Sequence, residues 1–403
     1  MVLHWIWFAQ LRGISLRVKK QLLEQFRDPE ELFCTAPEAL PDWLSSNQRQ
    51  ALENRDLSQA QAIREDCRQK GIRILGFTDA AYPSRLRSLE DPPVLLYCKG
   101  TIPDWDAQPV IGIVGTRRAT TYGLTTAAAF ARHIAACGGL VISGGADGID
   151  GAAMQGALEA GKPTVGVLGC GVDVVYPKKN RALFELTEQS GCLISEYPPE
   201  TPGLSWHFLE RNRIISGIAN GLLVVEAPAK SGALNTAQHA WEQGRDVFAV
   251  PANVGQESCA GSNALLEEKA IAALSGWSVV KHYERLYPHS VAFREAPESC
   301  GLPGLQEPKL TSQSGKNGKV RPKADKISID KEEKSAYSVL NIVGSALSEQ
   351  EQAVLNCVGP EPQILDAVIA RTDLSPSGVK SILTRLALKG LVVWHDGGRV
   401  SRK

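Results

Sequence analysis

Arg117 follows Val110-Ile111-Gly112-Ile113-Val114-Gly115-Thr116, an apolar, β-branched run that stops on glycine. Such a run reads as a buried parallel strand, and Gly115 permits a sharp turn into the helical pattern from Tyr122 to Ala136. A strand–turn–helix junction gathers unpaired backbone N–H groups at the positive end of a helix, where an anion is favoured. The planar guanidinium of Arg117 can hold a phosphate in bidentate fashion. The chemistry these residues offer is therefore the binding of something phosphorylated.

The same design recurs. Leu140-Val141-Ile142 runs into Ser143-Gly144-Gly145 and Gly148-Ile149-Asp150, with a small-residue helix to Ala160. Thr164 to Leu168 runs into Gly169-Cys170-Gly171, and Leu222 to Glu226 leads to Ser231-Gly232, Thr236 and a helix ending near Gly244. Any one of these glycines could merely turn the chain; four junctions of one type argue for phosphate loops. Two basic clusters accompany them. Lys178-Lys179-Asn180 follows the third junction, and Trp206-His207-Phe208-Leu209-Glu210-Arg211-Asn212-Arg213 sets aromatics beside two arginines. Cations that track a backbone and rings that stack on bases are the components of a single-strand groove. The alternatives are a core Trp206 and an Arg211 paired with Glu226.

Other chemistries find no support. Gly112, Gly115 and Gly123 do not spell the dinucleotide fingerprint, so no nicotinamide or flavin cofactor is expected. Gly156 to Lys162 imitates a phosphate-binding Walker loop, but Pro163 stands where magnesium needs a hydroxyl. That run ends a helix instead of opening one, and Gly161 reads as its C-cap. No catalytic constellation is evident; Asp150 and Glu226 could serve as acids but more often such groups brace a glycine loop. The nine cysteines are scattered and never spaced Cys-x-x-Cys, which predicts reduced thiols in a cytoplasm and no metal site. The 44 basic and 44 acidic residues cancel, so nucleic acid would have to be held by local clustering. No apolar run reaches membrane-spanning length, and the opening Met-Val-Leu-His-Trp-Ile-Trp-Phe is too short for a signal peptide.

Alternating strands and helices imply βαβ units and a mostly parallel α/β sheet, whose ligands sit at the carboxyl ends of the strands. Residues 1–70 read as a small helical module of the helix-hairpin-helix or SAM-like kind, turning at Gly13, with Arg12, Arg17, Lys19 and Lys20 able to contact phosphates but read as a solvated face. The α/β core occupies 71–282, with short strands at Ile72 to Phe77 and Val94 to Cys98 extending the sheet. Residues 283–338 are rich in Pro, Gly, Ser, Lys and Glu and read as a flexible linker. In 339–403, a capping box at Ser348-Glu349-Gln350-Glu351, a second helix from Pro362 to Arg371 and a third from Ser375-Pro376 precede a hairpin across Asp396-Gly397-Gly398. Three helices and a hairpin read as a winged helix, with Lys380, Arg385 and Lys389 at its recognition helix, for DNA or for a protein partner.

Together the motifs closely resemble the DNA-processing protein A family (DprA, also called Smf). The match runs from Val114-Gly115-Thr116-Arg117 with Tyr122-Gly123, through Ile142-Ser143-Gly144 and Gly148-Ile149-Asp150, to Leu168-Gly169-Cys170-Gly171 with Tyr176-Pro177 and Asn180. It continues in Ile194 to Pro198, Arg211-Asn212-Arg213-Ile214-Ile215-Ser216-Gly217, Val225-Glu226-Ala227 and Ser231-Gly232-Ala233 with Thr236. The resemblance implies an extended Rossmann-like fold, a homodimer, and binding of single-stranded DNA without catalysis. It also implies a recombination mediator that protects incoming strands in natural transformation and loads RecA. Phosphate contacts would fall to Arg117, Lys178 and Lys179, and base contact to Phe208. The fold also resembles the cytokinin-activating phosphoribohydrolases, the enzymatic alternative. Their signature glutamate is absent here, where Ser231-Gly232-Ala233-Leu234-Asn235-Thr236 runs on to Ala237.

Overall fold

The computed structural model describes residues 2–298, 349–361, 363–369, 371–372, 378–379, 382–383, 386–387, 391–395 and 399–402. The chain opens with five helices: α1 (Val2–Gln10), α2 (Leu16–Gln25), α3 (Pro29–Cys34), α4 (Ser46–Glu53) and α5 (Ser58–Gln69). Gly13, at φ +80°, turns the chain between the first two, and Ser15 caps α2 by accepting from the Val18 N–H. Of the basic residues expected as a solvated face, Arg12 and Arg17 are exposed, whereas Lys19 ties α2 to α1 and Lys20 docks the module on the core. Lys19 is buried and its Nζ donates to the Ala9 carbonyl at 2.8 Å, while Lys20 Nζ donates to the Leu89 carbonyl at 2.8 Å. Burial lowers Lys19 to about 8. Apolar residues of the module, Trp5, Phe8 and Leu22 among them, share one core with Leu95, Leu168 and Leu193 of the sheet.

The α/β part follows: β1 (Arg73–Gly76), α6 (Ser84–Arg87), β2 (Leu95–Gly100), β3 (Val110–Val114), α7 (Thr121–Ala136), β4 (Leu140–Ser143), α8 (Ile149–Glu159) and β5 (Thr164–Leu168). Then come α9 (Arg181–Ser190), β6 (Cys192–Ser195), α10 (Ser205–Ile218), β7 (Gly221–Val224), α11 (Gly232–Glu242), β8 (Asp246–Ala249), α12 (Ala260–Glu268), β9 (Ile271–Ala272) and α13 (Gly276–Val280). The strands form one sheet in the order β1-β2-β6-β5-β4-β3-β7-β8-β9. Pairing is parallel from β6 to β9, and antiparallel where β2 joins β1 and β6. Every residue of β3, β4, β5 and β7 is buried, because helices cover both faces. The chain lays β4, β5 and β6 to one side of β3 and returns to place β7 on the other. Such a reversal opens a crevice at the carboxyl ends of the strands.

Past α13 the chain stays on the core further than its composition suggested. Tyr283 and Val291 are buried, and the Ala292 N–H donates to the Cys137 carbonyl at 3.2 Å. The expected linker start at 283 is thus packed through about residue 294; the rest of the expected linker, 299–338, lies outside the described residues.

The C-terminal unit has its own core of Val354, Leu355, Val368, Leu383 and Val400, among others. Its elements are α14 (Glu349–Cys357), β10 (Gln363–Ile364), α15 (Leu365–Ile369), β11 (Val392–His395) and β12 (Arg399–Arg402). The hairpin forms as expected, β11 pairing antiparallel with β12, and β10 adds a third strand. Ser348, Ser375-Pro376, Lys380, Arg385, Lys389 and Asp396-Gly397-Gly398 lie outside the described residues. Among the described residues no helix is long and apolar enough to cross a membrane.

Candidate nucleic-acid interface

The crevice beside β3 holds a cleft of about 470 Å³. Its walls come from the loop after β3 (Gly115, Thr116, Arg117, Arg118), the loop after β4 (Ala146) and the first turns of α10. The loop after β7 and the start of α11 close it with Pro228, Lys230, Ser231, Gly232 and Thr236. Arg117, Arg118 and Lys230 are exposed. Among the described residues none of the three forms an ion pair. The Arg117 guanidinium rests 5.0 Å from the centroid of the Phe208 ring.

Two of the helix N-termini at this end of the sheet, those of α7 and α11, differ. At α7, Glu226 Oε2 accepts from the Thr120 N–H at 3.0 Å and from its hydroxyl at 3.1 Å, and Glu226 is fully buried. A Cβ on Gly123 would lie 1.8 Å from that oxygen. The positive end of α7 is therefore occupied by the chain's own carboxylate, contrary to the expectation that this junction would offer it to a ligand. At α11, Ser231 Oγ accepts from the Ala233 N–H, and a Cβ on Gly232 would meet nothing within 4 Å. That helix end faces the cleft unobstructed.

Arg211 lines the cleft from beneath, yet it is only 3% exposed. Its Nη1 donates to the carbonyls of Gly144, at 2.7 Å, and of Val167. Asp150 stands beside it and accepts from the backbone of Ala146 and Gly144. Burial lowers Arg211 to about 10 against the opposing pull of Asp150, and burial raises the Asp150 carboxyl. The buried partner of Arg211 is thus Asp150 and not Glu226. Gly144 is glycine because a Cβ there would lie 2.3 Å from Arg211 Nη1 and 2.5 Å from Asp150 Oδ2. Arg213 points away from the cleft, where it donates to the Asp91 carbonyl at 2.7 Å and to Glu196.

The other expected site residues divide the same way. Asn212 lines the cleft and ties α10 to α11 by donating to Asn235 Oδ1 at 3.2 Å. Asn180 braces the loop after β4 by donating to the Gly145 carbonyl at 3.0 Å. Ser143 is buried, its hydroxyl donating to the Ile113 carbonyl at 2.6 Å. Gly145, Gly148, Gly169 and Gly171 do not line the cleft. Gly148, at φ +78°, lets α8 start against Thr116, whose carbonyl a Cβ would meet at 2.3 Å. Lys178 and Lys179 are exposed next to that loop, outside the cleft, and Lys179 Nζ pairs with Asp147 Oδ1 at 3.1 Å. Phe208 is only 8% exposed and lies stacked against Tyr176. Gly161 takes φ +65° directly after Ala160, the C-cap of α8, one residue beyond the cap read from the sequence. Arg118 and Lys230 were missed, although one adjoins Arg117 and the other precedes the cap of α11.

Residues 73–284 match the family model described as DNA recombination-mediator protein A, and residues 344–398 match the DprA winged helix domain. The DNA processing protein DprA of Bacillus subtilis is 38% identical over 228 residues, 57% of this chain and 76% of that one. Protein Smf of Synechocystis is 30% identical across 99% of this chain and 98% of its own. The crystal structure of DNA processing protein A from Streptococcus pneumoniae superposes with a TM-score of 0.61 at 29% identity, covering 70% of this chain and 98% of that one.

Proposed function

The chain belongs to the DNA recombination-mediator protein A family, and from that premise we propose that it binds single-stranded DNA along the cleft beside β3. The observation that carries this reading is the set of three exposed, unpaired cations, Arg117, Arg118 and Lys230, around an open helix N-terminus. A phosphodiester backbone needs such a row of point charges and no sequence-specific donors. Ser231, Gly232 and Thr236 line the phosphate position at α11, while Lys178 extends the track past Ala146 and Lys179 is held by Asp147. Phosphate binding needs no cofactor, and we assign no catalytic residue: Asp150 and Glu226 are spent on holding the loops.

Within the family reading, the bound strand is incoming DNA in transformation, held in the cytoplasm by a homodimer that passes it to RecA. The purified chain should shift a poly-thymidine strand as readily as one of mixed sequence, and should speed RecA assembly on it. A chain ending at Glu298 should bind within a few-fold of the whole, since the winged helix has its own core. Release of base from adenosine monophosphate, lost in Asp150→Asn, would replace this reading with the phosphoribohydrolase one.

A further inference from the structure

Beside the cleft, the N-terminal turn of α10 and the loop after β5 leave an unusual set of apolar side chains in solvent. Trp206 is 53% exposed, Leu209 51%, Tyr176 45% and Leu204 42%. An apolar patch of this kind rimmed by cations marks a ligand surface. Its occupant must offer both negative charge and flat apolar faces, which describes an unpaired nucleic-acid strand. We propose that the exposed rings of Tyr176 and Trp206 are base-stacking residues of this surface, a reading that rests on the strand-binding function above.

Phe208 is mostly covered by its neighbours. Tyr176 stacks on it with centroids 5.2 Å apart and planes 26° apart, and Arg117 lies over it. A Cβ on Gly169 would come within 2.7 Å of its ring. Phe208 lines the cleft but is only 8% exposed, whereas the Tyr176 ring stacked on it keeps much of its surface in solvent. Phe208 is the support beneath that ring. Trp206 is braced differently. Its ring meets His207 edge-on at 4.0 Å, and His207, itself buried, stacks on Tyr197 at 4.0 Å. The Tyr197 hydroxyl in turn donates to Glu210 at 2.8 Å. Rings held this way lose little side-chain freedom when a base lands on them. Leu209, one helical turn after Trp206, lines the cleft itself, so the patch is continuous with the cations.

Every base has a π-face, so such contacts are sequence-tolerant and cost about five- to a hundredfold in affinity when one ring is removed. The test compares a poly-thymidine strand with an abasic strand of equal length, by fluorescence anisotropy on the full chain. The wild type should prefer thymidine by roughly tenfold or more. Trp206→Ala and Tyr176→Ala should each erase most of that preference, with a far smaller loss on the abasic strand. The salt dependence should not change, because no cation is removed. Trp206→Phe should recover most of the preference. Tyr176→Ala also uncovers Phe208, so the solvent-exposed Trp206 decides the matter. Equal losses on both strands, or an unaltered preference in Trp206→Ala, would overturn the stacking role. A wild type that binds both strands equally and with steep salt dependence keeps the strand-binding function and sinks the stacking; one that binds neither sinks both.

Discussion

Replacing Arg117 by alanine isolates one charge with little collateral damage. The side chain is exposed and lies over the Phe208 ring at 5.0 Å, so its loss should lower stability by only about 0.5–1 kcal/mol. Its effect on binding should be larger and of a diagnostic form. Arg117, Arg118, Lys230 and Lys178 are exposed and unpaired among the described residues, whereas Lys179 is engaged by Asp147 at 3.1 Å. Four neutralised phosphates on a single strand give a slope of log affinity against log salt near about −2.8. Between 50 and 200 mM salt that amounts to roughly a fiftyfold loss. Arg117→Ala should flatten the slope by about 0.7, and Arg118→Ala or Lys230→Ala should do the same. Lys162→Ala is the control. It adds the same loss of charge to the chain, but Lys162 precedes β5 and so lies at the opposite end of the sheet from the cleft. Anisotropy titrations of wild type and variants on one poly-thymidine strand, at four or more salt concentrations, read the slopes directly. A flattened slope in Lys162→Ala with an unaltered one in Arg117→Ala would refute the placement of the site.

Three further outcomes follow from the packing around the cleft. Arg211→Met strands the buried Asp150 carboxylate and should cost about 3–5 kcal/mol by urea unfolding, part of it regained in the double variant with Asp150→Asn; a stable Arg211→Met protein that no longer binds DNA would instead make Arg211 a direct contact. Gly123→Ala forces a Cβ to within 1.8 Å of the buried Glu226 carboxylate and should lower stability by about 1–3 kcal/mol, seen as a drop in Tm; an unchanged Tm would mean that Glu226 is not fixed on α7. Lys70 Nζ joins α5 to the core through Asp173 at 2.7 Å and Glu200 at 3.0 Å, and hydrogen bonding from Lys70 helps hold the Asp173 carboxyl below its ordinary value despite burial. That contribution is complete above about pH 4 and fades as pH falls through the depressed value, so Lys70→Met should be destabilised at pH 7 and converge on wild type in acid; a gap that stays constant down to full protonation would assign the loss to packing.

The strands, the glycine junctions after them and the place of Arg117 were legible in the chain itself. A buried parallel strand must be a continuous apolar run, and a helix that follows at once needs a residue that can turn sharply. Both are local demands, written within ten residues or so. The hairpin of the C-terminal unit and the left-handed turn at Gly161 that ends α8 are local in the same sense. The roles of the polar residues were not. Arg211 and Arg213 are neighbours in an arginine-rich run, yet a helix turns 100° per residue, and α10 sends one under the cleft to Asp150 and the other behind it to Glu196 and Asp91. Their partners come from the start of α8, 61 residues away, from the end of β6, 17 residues away, and from a loop 122 residues away. Glu226 reaches the first turn of α7 across 106 residues, so the most conspicuous anion site in the sequence is filled by the protein itself. Lys230 carries no motif at all. A cation's availability to a ligand depends on whether a buried carboxylate or carbonyl has already claimed it, and only the assembled sheet brings those groups together.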